Sequence, residues 1–368
     1  MPPRTRARAT AAAARGTRIP LAGSDAAGNP TETLLSEVGL VLLKMFDTRE
    51  ACVLRLVCRE FVDAVRQQQW EDRETVIHGS IAAWRACFPR ARCANISMFF
   101  HDQRITPVVD ADFVHLEGLR ELNMAECSDV TDAAFAHLRG IHTLDMSWCT
   151  QLTDAAFVHL RGIHTLDMSY CTQITDVAFV HLQGIHTLRM RSPKITDAAF
   201  VHLPGIHTLD MSWCNMITDV AFAHLRGIQR LSILGCNQAT LTDAAFVHLR
   251  GIQLLNISYC SQLTDAAFVH LRGIHTLFMV GCSQPAISDA AFAHLGRIHK
   301  LLMGSCTQLT LTDTGFAHLR GIYVLGMNNC RLAQVQSALQ LGLRVTKERG
   351  FFSDGLRHTW RKPARERL

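Results

Sequence analysis

The chain has 368 residues, of which 48% are apolar, and a mild formal charge of +5. No uninterrupted apolar run approaches the roughly 18 residues that span a bilayer, so no membrane-spanning helix is expected. The charge is uneven: the stretch ahead of Pro20 holds Arg4, Arg6, Arg8, Arg15 and Arg18 without an acid, and the last dozen positions hold Arg357, Arg361, Lys362, Arg365 and Arg367.

In chain order, residues 1–30 lack apolar residues enough for a core and are expected to be a disordered basic tail. An Arg- and Ala-rich, acid-free start also matches a mitochondrial transit peptide, although the plain solvated tail is the simpler reading. Residues 31–71 change character. Val38, Val41, Leu42, Met45 and Phe46 recur at helical spacing, as do Leu54, Val57, Cys58, Phe61 and Val65. Asp47 and Thr48 stand between the two runs, where a helix cap would sit. This predicts a short all-helical unit. Residues 72–108 form a linker and a degenerate first repeat, with Phe88, Ala91, Cys93 and Ile96 at core positions and His101 to Val108 as a loop. A terminal repeat must present a polar outer face, which accounts for its divergence.

From 109 to 331 one module returns ten times. Leu152 to Cys171 reads L-T-D-A-A-F-V-H-L-R-G-I-H-T-L-D-M-S-Y-C, and the Thr or Ser of its T-D pair recurs at 131, 153, 175, 196, 218, 242, 264, 288 and 312, after a weaker copy starting at Val109. A period in the twenties means a solenoid. Leu166 and Met168 alternate with polar neighbours, as a strand buried on one face does. Thr153 and Asp154 suit a helix start, Phe157 and Leu160 face inward, and Arg161 followed by Gly162 suits its end. A lone copy buries too little to offset the ordering of its backbone, so it folds only when stacked. Residues 332–349 supply a C-terminal capping repeat without the cysteine, and residues 350–368 a basic and aromatic tail.

The segment I-x-x-L-x-M-x-x-C, as at Ile163, Leu166, Met168 and Cys171, resembles the leucine-rich repeat, and the closing cysteine before L/I-T-D resembles its cysteine-containing subfamily. The copies are a few residues shorter than that subfamily's. The resemblance implies an α/β solenoid: a horseshoe with a parallel concave sheet and short convex helices. Residues 31–71 in turn resemble an F-box. Leu34, Glu37 and Val38 match its opening, Phe46-Asp47 its break, and Leu54, Leu56, Val57, Cys58, Arg59 and Phe61 its L-x-L-V-C-R-x-F signature, with Trp70 closing it; Leu35 stands where the family has proline. This second resemblance implies that the F-box docks a Skp-type adaptor of a cullin-RING ubiquitin ligase through those matched residues. By the same resemblance the repeats would bind the target protein, and the chain would act in the cytoplasm or nucleus as a monomer within that larger complex. The alternatives are a helical cap that merely seals the solenoid, or a repeat scaffold with no ligase role.

Nineteen histidines and 13 cysteines raise the question of a metal. Nine cysteines occupy one repeat position, which is a packing explanation and suggests free thiols. The histidines form an H-L row (His115, His137, His159 and onward) and an I-H-T row (His142, His164, His186, His207, His275, His299). No cluster has zinc spacing, so no metal or cofactor is expected. Adjacent imidazoles on strands about 4.8 Å apart would repel when protonated, so the I-H-T row is expected to titrate low. No G-x-S-x-G, Walker, H-E-x-x-H or paired-carboxylate motif is present, and no catalytic role is expected.

Function is therefore sought where copies differ on the concave face. Asp145, Asp167, Arg189 and Asp210 form one row, beside Arg191, with Trp148, Tyr170 and Trp213 at the strand ends. Arg189 between Asp167 and Asp210 suggests mutual neutralisation, leaving Asp145, Arg191 and the aromatics for a partner. Further along, Leu234, Leu254, Phe278, Val280, Leu302 and Val324 predict an exposed apolar patch, open to a partner or covered by the tail residues Phe351, Phe352, Leu356 and Trp360. The copy at Arg189 to Pro193 lacks its cysteine and is one residue short, so a break in the ladder is expected there. The array shows no evident basic stripe, which argues against nucleic acid.

Overall fold

Each copy contributes one three-residue strand, and these stack side by side in chain order. The computed structural model describes residues 43, 45–57, 59–98 and 107–346. The strands are β1 (Cys93–Asn95), β2 (Glu121–Asn123), β3 (Thr143–Asp145), β4 (Thr165–Asp167), β5 (Thr187–Arg189), β6 (Thr208–Asp210), β7 (Arg230–Ser232), β8 (Leu254–Asn256), β9 (Thr276–Phe278), β10 (Lys300–Leu302), β11 (Val324–Gly326) and the two-residue β12 (Val345–Thr346). They form one sheet in the order β1 to β12, every pair parallel and in register, Leu144 against Leu166 against Leu188. The architecture is the expected leucine-rich-repeat horseshoe.

From β2 to β11 the inner leucine of each strand is fully buried, and the methionine or isoleucine two residues on and the phenylalanine of the returning arm are buried with it. The helical arm is four to seven residues long, running from Asp154 to His159 in the repeat above. Most arms are 3-10 helices, because so short a return must rise faster per residue than an α-helix allows. Gly162, at φ 81, turns the chain back into the strand through a conformation that a side chain would strain. The shortened copy does not break the sheet: β5 pairs with both neighbours, and the missing residue is absorbed in the turn after it.

Two ladders tie successive repeats together. Asp154 accepts the Thr175 N–H at 2.8 Å and the Thr175 hydroxyl at 2.6 Å, so its carboxylate serves the next repeat. The same pair of bonds recurs from Asp110–Thr131 to Asp289–Thr312. The threonine hydroxyl also accepts from its own arm, as Thr153 does from the Ala155 N–H at 3.3 Å. The buried cysteines form the second ladder: the Cys171 thiol donates to the Met146 carbonyl at 3.1 Å. Burial pushes that thiol up to about 12, so it stays a protonated donor, and pushes Cys93 up to about 11.

Ahead of the array lie α1 (Thr48–Leu54), α2 (Arg59–Gln67) and α3 (Ile81–Cys87). Asp47 caps α1 in a capping box with Glu50, at the break where the sequence places a cap. Leu43, Ala51, Val65, Trp70, Phe88 and Ala91 form a small core of their own, and Trp84 packs against both this core and that of the solenoid. Arg85 donates from Nε to the His115 carbonyl at 2.8 Å, and the Arg73 guanidinium pairs with Glu121 at 2.6 Å. The helical unit thus closes the N-terminal end of the sheet. At the far end a helix (Leu332–Gln340) and β12 follow the last cysteine. Among the described residues no helix is long and apolar enough to cross a membrane.

Candidate functional site

Two surfaces carry the residues singled out by sequence. On the helical unit, Leu56 and Val57 are 86% and 67% exposed, and Val53 on α1 is 63% exposed. They sit in and beside the tight turn Arg55–Val57 between α1 and α2, where Leu56 N–H returns to the Val53 carbonyl at 3.0 Å and Val57 N–H to that of Leu54 at 3.0 Å. That turn points the two aliphatic side chains outward. Leu54 and Phe61 are half-buried, Leu54 against the unit's core, and Arg59 is exposed. Trp70 is a correction. It is buried, its Nε1–H donates to the Val65 carbonyl at 2.8 Å, and it meets Phe88 edge to face at 5.4 Å, so it is core and not an adaptor contact. Leu34, Glu37, Val38 and Cys58 lie outside the described residues.

On the concave face the charged row is paired differently from the expectation. Arg189 Nη1 lies 3.5 Å from Asp167 Oδ2, while Asp210 is met by Arg191 Nη2 at 3.6 Å. Arg191 also donates to the Tyr170 hydroxyl at 3.3 Å and lies over that ring. Arg191 is therefore engaged rather than free, because the long side chain at the next alternate position reaches across to the neighbouring strand. Asp145 is not simply available either. Its Oδ1 accepts the Ser147 N–H at 3.0 Å and hydroxyl at 2.7 Å, and burial, then the neighbouring Asp167, push its carboxyl up to about 7. It forms part of the lining of a shallow depression with Arg73, Cys93, Ala94, Glu121 and Asn123.

The aromatics form a shelf. Trp148 stacks on Tyr170 with centroids 3.9 Å apart, and Trp148 and Trp213 remain 45% and 49% exposed. Sequence reasoning missed the fourth member, Tyr259, which is 51% exposed at the same repeat position. All four have φ between 60° and 64°, a strained region for a bulky residue. The signal was present in the copies that carry glycine there. A β-carbon on Gly235 would sit 2.7 Å from the Trp213 ring, and one on Gly281 2.5 Å from Tyr259, so each ring lies flat across the next repeat.

The apolar end of this face is also a correction. Phe278, Leu302 and Val324 are buried together as a cluster, with Leu254 and Val280 half-buried against it and Leu234 half-buried. Adjacent strands bring these side chains within packing distance, so they cover one another instead of standing open. The tail residues Phe351, Phe352, Leu356 and Trp360 lie outside the described residues.

Along the opposite edge, His142, His164, His186 and His207 stack as a ladder with centroids 4.5–4.6 Å apart. Each of these Nδ1 atoms lies 3.1–3.2 Å from the hydroxyl of the following threonine. His142, His164 and His207 titrate below the usual value, first through burial and then through like charge, from Arg120, from both neighbouring imidazoles, and from His186 and Arg230 respectively.

No family model matches the chain, and a search of curated proteins finds no match. Among solved structures, the chain is similar to one in the TLR13–ssRNA13 complex at 18% identity and TM-score 0.54, over 70% of this chain and 39% of that one. It is also similar to one in the glycosylated Toll–Spatzle complex of Drosophila, at 13% identity and TM-score 0.51, over 75% and 41% of the two chains. This chain spans about two fifths of either neighbour's length. What is shared is the leucine-rich-repeat fold.

Proposed function

We propose that the chain is a protein-binding subunit of a ubiquitin ligase: its helical unit docks a Skp-type adaptor of a cullin-RING complex and its concave face holds the protein to be modified. The observation that carries this reading is the exposure of Leu56 and Val57 in the L-x-L-V-C-R-x-F signature. Large aliphatics left in water on a unit with a well-filled core mark an interaction surface, each forgoing about 1.5–3 kcal/mol of burial until a partner covers it. Arg59 and Phe61 flank them. The target would lie across the shelf of Trp148, Tyr170, Trp213 and Tyr259, since aromatic side chains are enriched in binding hot spots. The shelf borders the Asp145, Asp167, Arg189, Arg191 and Asp210 row, where Arg189 Nε and Nη2 are buried with no acceptor among the described residues.

The test is co-purification of the full-length protein with the adaptor. Leu56→Ala with Val57→Ala should abolish capture while leaving the melting temperature within a few degrees, because both side chains are exposed. Capture that survives the double substitution removes these residues from the interface. A second reading rests on the packing of Trp84 into both cores: the helical unit is a cap, and the chain is a scaffold without a ligase role. An intact protein that captures no adaptor selects it.

A further inference from the structure

The solenoid segregates charge between its two edges. The turn from strand into arm carries the aspartates, each tied through both oxygens to the next repeat's threonine wherever the ladder runs. The turn from arm into strand carries arginines: Arg139, Arg161, Arg226, Arg250, Arg272, Arg297 and Arg320, all exposed. From the copy at Arg139 onward, the R-G-I-H-T-L stretch and its equivalents contain no Asp or Glu. Among the described residues no carboxylate pairs with any of these seven arginines. The sequence-level reading of no basic stripe is therefore revised, because only stacking places residues a full period apart in one line.

The edge is also ordered. Arg139, Arg161 and Arg272 each donate from Nε to the Nδ1 of the next repeat's histidine, His159, His181 and His294, at 3.3–3.4 Å. A guanidinium held by Nε keeps both terminal nitrogens turned outward as a fork. Between the arginines the ledge is bare: Gly227, Gly251 and Gly273 have open space where a β-carbon would stand. Five consecutive copies, from Arg226 to Arg320, each place a cation in this turn, Arg297 standing one residue nearer its strand than the others because its copy reads Gly296-Arg297.

We infer that this edge binds a single-stranded nucleic acid through its phosphates. A protein partner needs an apolar, well-packed centre to its interface, and a ledge of arginine, glycine and imidazole offers none. A phosphodiester strand bound along its backbone needs only a regular line of forked cations that a polymer can approach closely. Gln183 and Pro204 replace arginine in two copies, so the line divides into a short block at Arg139 and Arg161 and the longer one from Arg226. The site is separate from the concave face and from the adaptor surface, and stands or falls independently of the ligase reading.

The experiment is fluorescence anisotropy of the full-length protein with a labelled 20-nucleotide oligouridylate across a salt series. Arg226→Glu, Arg250→Glu and Arg272→Glu together should weaken binding at least tenfold. The slope of log affinity against log salt should become shallower by about 2, at roughly 0.7 for each phosphate no longer neutralised. The matching triple lysine variant should retain most of the binding, which separates lost charge from lost structure. Binding unchanged in the glutamate variant would place any affinity in the basic termini and overturn the inference. Polyglutamate or anionic lipid vesicles that compete as well as the strand at equal charge would overturn the choice of ligand.

Discussion

Asp145 shows how a repeat position acquires individual chemistry. In other copies the equivalent residue is Arg189, Ser232 or Phe278, but here two acids stand on adjacent strands, Asp145 beside Asp167. Burial and the second carboxylate keep Asp145 protonated up to about pH 7. In the unfolded chain it loses its proton near 3.9. Between those values the folded state binds more protons, so stability falls as pH rises through the window. Asp145→Asn removes this dependence. Urea unfolding should show the variant gaining on the parent by up to about 4 kcal/mol between pH 4 and pH 8, from about 1.4 kcal/mol for each pH unit that separates the two values. An equal difference at both ends of the range would show that Asp145 is ionised throughout.

At the scale of the element, the arms are too short to be stable helices, and what fixes them is the carboxylate of the repeat before. Asp154→Ala leaves the Thr175 N–H and hydroxyl without their shared acceptor. Two bonds to a charged group are lost, so denaturant unfolding should register about 2–4 kcal/mol. A cost below about 0.5 kcal/mol, the low end for one ordinary hydrogen bond, would mean that water replaces the carboxylate and that the ladder is incidental. The sequence suggests a simpler role for this aspartate, complementing its own helix dipole. Its geometry toward Thr175 could not be read because the partner stands in the next copy, at a separation in space set only by stacking. The imidazole ladder is the converse case. Its close stacking was legible, since identical residues one period apart on a parallel sheet must face each other.

At the scale of the whole molecule, each repeat contacts its neighbours and little else, so stability accumulates along a line. Deleting residues 153–174 removes one complete period and lets Asp132 meet Thr175 in place of Thr153. The shortened protein should fold to the same sheet and melt cooperatively, lowered by only a few degrees. Circular dichroism showing an unfolded chain would mean that the two halves are not equivalent. The helical unit is different, because Trp84, Arg85 and Arg73 anchor it to the first repeats at one end only.

The period, the inward Leu, Met and Phe, the capped turn at Asp47 and the parallel sheet were all determined by the sequence alone. A repeat this short with that apolar pattern has no other way to bury both flanks. The structure alone decided which acid meets which arginine, that Trp70 is core, that Phe278, Leu302 and Val324 cover one another, and that seven scattered arginines form one edge. Those outcomes depend on side-chain reach between strands about 4.8 Å apart. Pairing across that gap is a property of the stack, and no single copy contains it.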